Sequence, residues 1–197
     1  MILAFRLLYI AFQLAVSTYL YLRLKKFGTI RLFPAFFYLL STAFNINSLS
    51  YNTMANSALV ALLVTLVMME KPDWKNGIWC GVFASIVVMA NPYAVFAYVL
   101  YGIACAVVTL IFKKLNKEIP AVLQFMTFFK MSLTAAGVMV LFLLFTFWHA
   151  TLERIVKNLP YIIGDQEHVQ RWNVKISDYF RYFREHYLGS VVVPIAV

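Results

Sequence analysis

The chain has 197 residues, of which 63% are hydrophobic and 13% charged, with a mean hydropathy of +0.79. A water-soluble globular domain is excluded, because such domains run at about half apolar and about a quarter charged, and the excess here must face lipid. The net charge of +9 does not indicate nucleic acid: the basic residues fall in short clusters between apolar runs, with no basic face of interleaved base-reading side chains.

These features predict an all-α, polytopic integral membrane protein of about six transmembrane helices. A hydrocarbon core of about 30 Å takes roughly 20 helical residues. On that length the first span covers residues 1–23, a shorter second span starting in the interface covers 29–44, and the third covers 53–69. Residues 77–112 are apolar throughout and too long for one crossing. They fold back at Asn91-Pro92, since proline pushes the residue before it out of helical geometry and asparagine is a good cap; the fourth and fifth spans are 77–90 and 93–112.

After the basic linker KKLNKE and Pro120 comes another long run, which Lys130 divides. Residues 121–129 lie along the interface, Lys130 snorkels to the headgroups and 131–149 make the sixth crossing, with one tilted helix as the alternative. The transmembrane bundle is thus residues 1–150. Residues 151–187 form an extracytoplasmic, interfacial segment, and 188–197 begin a further span that is cut short.

Loop charges give orientation. Arg23, Lys25, Lys26 and Arg31 follow the first span, Lys71 and Lys75 the third, and Lys113, Lys114 and Lys117 the fifth, so these loops are cytoplasmic. The loop NINSLSYN and the Asn91-Pro92 turn carry no charge and are extracytoplasmic. Both ends of the segment then lie outside the membrane on that face. A chain that opens inside an apolar helix and stops within one reads as an internal piece of a larger membrane protein.

Ionisable residues inside lipid are costly and therefore informative. Arg6 is the one charge well within a span; it either snorkels to headgroups or meets an anionic phosphate or carboxylate. No acid lies in any span, which counts against a cation-coupled transporter. The outer loop Asn45-Ile46-Asn47-Ser48-Leu49-Ser50-Tyr51-Asn52-Thr53 is rich in hydrogen-bonding groups. Its side chains either cap helix ends or, at Tyr51 and Asn52, offer a stacking face and an amide to a neutral polar ligand such as a sugar.

Asp165, Glu167 and His168 lie within four residues, which allows acid–base work or a divalent ion, with a solvated turn as the plainer reading. From Ser177 onward, Tyr179, Phe180, Tyr182, Phe183 and Tyr187 among Arg181, Arg184 and Glu185 form an interfacial, amphipathic pattern. Cys80 and Cys105 read as small core residues. Gly81 with Ser85, and Ala135-Ala136-Gly137, read as small faces for close helix packing. There is no phosphate-binding glycine loop, nucleophile elbow, HExxH or paired-cysteine zinc pattern, and so no identified cofactor.

An Arg-bearing first span ending in basic residues, a second span with Leu32-Phe33-Pro34, and the loop Leu49-Ser50-Tyr51-Asn52-Thr53 opening the third precede a charged turn and a glycine-led span ending in Ala90-Asn91-Pro92-Tyr93. This succession resembles bacterial GT-C glycosyltransferases of the branch related to protein O-mannosyltransferases and the aminoarabinose transferase of lipid A. Asn158-Leu159-Pro160-Tyr161-Ile162-Ile163 and Asp165-Gln166-Glu167-His168 resemble an outer-loop segment of that branch. The resemblance implies a partial GT-C-like bundle in a bacterial plasma membrane, and an enzyme that passes a sugar from a polyprenyl-phosphate donor to an acceptor on the extracytoplasmic face. It implies that Arg6 orients the carrier phosphate and that Asn52, standing at an acidic position of the family, faces the sugar. The family's paired acids in the first large outer loop would precede Met1, so the segment alone is expected to be inactive. A transporter or channel, which needs a polar path or broken helices at the midplane, and a non-enzymatic membrane scaffold are the other classes.

Overall fold

The computed structural model describes residues 2–40, 50–154, 156, 157 and 181. Over these the chain is helical and holds no strand. Two units are distinguished, residues 1–144 and 145–197. In the first, α1 (Ile2–Arg23) leads through a 3-10 segment, Lys25–Arg31, into α2 (Leu32–Leu40); α3 (Tyr51–Val67), α4 (Trp74–Ala90), α5 (Ala94–Lys114) and α6 (Phe125–His149) follow. The last five residues of α6 belong to the second unit, where His149 Nδ1 lies 2.9 Å from the Phe145 carbonyl oxygen and the two rings stand 4.2 Å apart.

Local chemistry sets the helix ends. Ser50 caps α3 in a reciprocal box: its hydroxyl accepts from the Thr53 amide, and the Thr53 hydroxyl accepts from the Ser50 amide. Asp73 caps α4 by accepting from the Asn76 amide at 2.7 Å. At Asn91 the backbone becomes extended (φ −138°, ψ 93°), as a residue before proline must. Its side chain accepts from the Tyr93 amide, so asparagine stabilises the turn while α5 begins three residues later, at Ala94.

Two expected boundaries differ. The run 29–44 does not start a helix at Thr29: Gly28 takes φ +58° and ψ −134°, a conformation open to glycine, and the flanking residues are 3-10 until Leu32. Nor does Lys130 divide the later run. After a short 3-10 turn, Ala121–Leu123, α6 runs unbroken through Lys130, as a single helix over this run requires. The Lys130 ammonium donates to the Pro72 carbonyl and lies 5.3 Å from the Trp74 ring centroid, so its charge is met by the α3–α4 connection without a break in the helix.

Specific contacts fix the direction of each helix. Gln13 donates to the Tyr38 carbonyl and Ser17 to the Ala35 carbonyl, so α2 runs antiparallel to α1. Tyr38 donates to Ser57 and Tyr19 pairs with Thr65, which sets α3 parallel to α1. Arg23 donates to Asn76 at the start of α4. Gly77 lies against Lys130 and Gly81 against Thr134, so α4 and α6 run side by side in one direction. The Tyr98–Ser132 and Thr109–Phe125 hydrogen bonds make α5 antiparallel to α6.

This unit has a buried apolar core around Leu20, Ala61, Cys80 and Met131, and its exterior departs from that of a water-soluble protein. Gln13, Ser17, Thr53, Ser57, Thr65, Asn76, Ser85 and Thr127 are buried, whereas Val140, Leu141, Phe142, Leu143 and Leu144 are all exposed. Five consecutive residues cover the whole circumference of a helix. Leaving that surface in water would forfeit about 25 cal/mol for each Å² of it, whereas lipid accepts it. Among the described residues three helices are long and apolar enough to cross a bilayer: Leu3–Arg23, Ala94–Lys114 and Phe125–His149. Those over Tyr51–Val67 and Trp74–Ala90 are apolar but shorter.

Candidate functional site at the charge-poor end

The alternating helix directions sort the ionisable residues of residues 1–144 by end. Arg23, Lys25, Lys26, Arg31, Lys71, Lys75, Lys113, Lys114, Lys117 and Lys130, with the acids Glu70, Asp73 and Glu118, gather where α1, α3 and α5 finish and α2, α4 and α6 start. At the opposite end Arg6 is the only charged side chain among the described residues of this unit.

Arg6 is exposed in the second turn of α1. It stands seven residues, about 10 Å of helix rise, beyond Gln13. Tyr51 and Asn52 stand six and five residues beyond Ser57 on the parallel helix α3, about 9 and 8 Å of rise. Tyr38 lies between those two levels, bonded to both: its carbonyl accepts from Gln13 and its hydroxyl donates to Ser57. The three residues nominated from the sequence for substrate binding are therefore brought to one end of the unit and to similar heights. Tyr51 is 57% exposed and Asn52 is half-buried.

The Ser50–Thr53 box shows that part of this polar loop caps a helix. Neither Tyr51 nor Asn52 takes part in that box, which leaves the ring and the amide of the first helical turn at its rim. The turn at Asn91 also reaches this end, and it adds Tyr93, 57% exposed, a residue not nominated from the sequence. The signal is present in the Asn91-Pro92-Tyr93 triplet, whose sequence reading gives a backbone turn and a motif of the resemblance but no role for the Tyr93 side chain. Asn45, Asn47 and Ser48, together with Asp165, Glu167 and His168 and the segments 158–180 and 182–197, lie outside the described residues.

A second polar feature, not foreseen, runs between the helices. Gln13, Ser17 and Tyr38 lead to Ser57, then Tyr19 with Thr65, then Arg23 with Asn76. Thr65 gives its proton to the Ala61 carbonyl at 2.6 Å, so the Tyr19 hydroxyl is the donor in the Tyr19–Thr65 pair. Apart from the Arg23 Nε, which is buried without a hydrogen-bond partner among the described residues, these groups spend their hydrogen bonds on adjoining helices or on their own backbone. That is adhesion between helices in a medium without water, and it supplies no transport path by itself.

Among the described residues no group of three His, Cys, Asp or Glu side chains is placed to hold a metal ion. Cys80 and Cys105 are both free and buried, on α4 and α5. No family model matches the chain, and neither a curated protein nor a solved structure matches it significantly.

Proposed function

We propose that this chain is the membrane-embedded part of a glycosyltransferase that takes a sugar from a polyprenyl-phosphate donor at the extracytoplasmic face of a bacterial plasma membrane. In this reading it crosses the bilayer six times, with the basic end in the cytoplasm. The observation that carries the reading is Arg6, the one charge at this end among the described residues of the first unit, level with Tyr51 and Asn52.

The chemistry follows from what such a donor carries. A polyprenyl chain lies in the bilayer, so its phosphate and sugar meet the protein at one rim. As the bond between the sugar's anomeric carbon and the phosphate oxygen breaks, negative charge grows on the departing phosphate. A guanidinium stays charged at every physiological pH and presents a planar fork that matches phosphate oxygens in pairs. Arg6 would hold that phosphate and stabilise it as it leaves. Tyr51 supplies an apolar ring face to sugar C–H groups, and the Asn52 amide both donates to and accepts from hydroxyls.

Native mass spectrometry of the purified chain with a bacterial polyprenyl phosphate tests this. Arg6→Gln is expected to weaken binding by about tenfold or more, the worth of a charge-assisted hydrogen bond, and Arg6→Lys is expected to restore part of it. Equal binding by all three proteins would overturn the role of Arg6. Absence of any binding to the unaltered chain would leave a non-enzymatic membrane protein as the better reading.

A further inference from the structure

We infer that the 3-10 segment Lys25–Arg31 and the start of α2 form a binding site for one anionic phospholipid of the cytoplasmic leaflet. Its phosphate would rest on Lys25 and Lys26, and an acyl chain would lie in the adjoining groove. The inference rests on the membrane-crossing half of the proposed function and is independent of any sugar transfer.

The groove measures about 410 Å³ and is lined by Thr29, Ile30, Leu32, Phe33 and Phe36. It is open on one side and almost wholly apolar, and Phe33 on its wall is 78% exposed. Gly28, with φ +58°, turns the chain immediately after Lys25-Lys26-Phe27 and directly before Thr29 and Ile30 of the groove wall, so the two lysines stand just before the groove in the chain; open space lies where a Cβ would stand.

Charge complementarity identifies the occupant. Lys25 and Lys26 are exposed and form no ion pair among the described residues; the Lys26 ammonium lies 5.4 Å from the Phe27 ring centroid. The first acid in the sequence is Glu70, so nothing nearby along the chain neutralises them. Arg31 is held differently: its guanidinium donates to the Tyr21 hydroxyl at 2.8 Å and stacks 4.0 Å from that ring's centroid, which fixes the loop to α1. A neutral lipid would satisfy the groove and leave the lysines without a partner. A soluble anion would satisfy the lysines and leave the groove empty. An anionic phospholipid satisfies both, and juxtamembrane lysines are the usual means of attracting one.

The test is native mass spectrometry of the full chain released from nanodiscs of mixed phosphatidylglycerol and phosphatidylcholine. One retained phosphatidylglycerol per chain is expected. Lys25→Gln with Lys26→Gln should weaken its retention by about 25-fold, at about fivefold per juxtamembrane cation. Ile30→Ser with Phe36→Ser should also weaken it while leaving both lysines in place, and circular dichroism reports whether each variant keeps its helix content. Lys113→Gln with Lys114→Gln removes equal charge elsewhere at the same end and should leave retention unchanged. Equal loss in that control pair would show general attraction to an anionic surface and overturn the site. So would indifference to the groove substitutions, or displacement of the lipid by millimolar inorganic phosphate.

Discussion

Gly81 of α4 meets Thr134 of α6 with no room for a side chain between them: a Cβ at position 81 would stand 2.5 Å from the Thr134 Cβ and 2.7 Å from the Met131 carbonyl oxygen. Gly77, one turn earlier, faces the Lys130 Cβ in the same way at 2.7 Å. One turn later, the Ser85 hydroxyl gives its proton to the Gly81 carbonyl at 2.7 Å and lies 3.4 Å from the Ala135 carbonyl. Gly77, Gly81 and Ser85 thus form a small-residue stripe that lets two backbones approach where lipid supplies no hydrophobic drive for helices to associate.

Gly81→Ala is therefore expected to destabilise the unit by about 1–3 kcal/mol, because the obstructing Met131 oxygen belongs to backbone and cannot rotate away. Gly137→Ala makes the opposite case in the same helix pair. Among the described residues nothing beyond its own stretch of helix lies within 4 Å of a Cβ there, so the gain in helix propensity should stabilise α6 by about 0.5–1 kcal/mol. Detergent-titrated unfolding followed by circular dichroism would measure both. The sequence reading of Ala135-Ala136-Gly137 as a packing face is met at Ala135, whereas Ala136 and Gly137 are exposed.

The buried bond between Tyr38 and Ser57, 2.6 Å long, links α2 to α3. A double-mutant cycle of Tyr38→Phe and Ser57→Ala is expected to give a coupling of about 0.6 kcal/mol, the usual worth of a hydrogen bond between membrane helices. A coupling indistinguishable from zero would mean the two hydroxyls do not meet in the bilayer.

What the sequence made legible was local chemistry. Asn91-Pro92 announced a turn because proline constrains its own neighbour, and the polar loop 45–53 was legible as a source of helix caps from residue type alone, while the particular Ser50–Thr53 box came from the structure. Lys130 was misread for the complementary reason. A charge in an apolar run looks like a boundary unless its partner is visible, and its partners, Pro72 and Trp74, lie more than 50 positions away in the chain. Arg6, Tyr51 and Asn52 could be nominated one by one from residue type. Their common height emerges only from the ladder of contacts through Gln13, Tyr38 and Ser57.

Asp73 gives a prediction at the start of α4. Its carboxylate accepts from the amide of Asn76, whose side-chain oxygen in turn accepts from Arg23. Asp73→Ala should cost about 1 kcal/mol by losing the cap, and Asp73→Asn, which keeps an accepting oxygen, only a small fraction of that. A comparable loss in both variants would indicate that the negative charge matters more than the cap.

The charge segregation predicts sidedness, and the native cysteines leave the experiment uncluttered. Cys80 and Cys105 are both 0% exposed, so a membrane-impermeant maleimide should leave the unaltered chain unlabelled until it is unfolded. Asn91 and Lys117 are exposed at opposite ends of the first unit, Asn91 between α4 and α5 and Lys117 beyond α5. In intact cells Asn91→Cys is expected to react and Lys117→Cys to react only after permeabilisation, because lysine-rich connections stay on the cytoplasmic side. The reverse pattern would place Arg6, Tyr51 and Asn52 in the cytoplasm and remove the basis for an extracytoplasmic sugar donor. Labelling of both from outside would mean that α5 does not cross the bilayer.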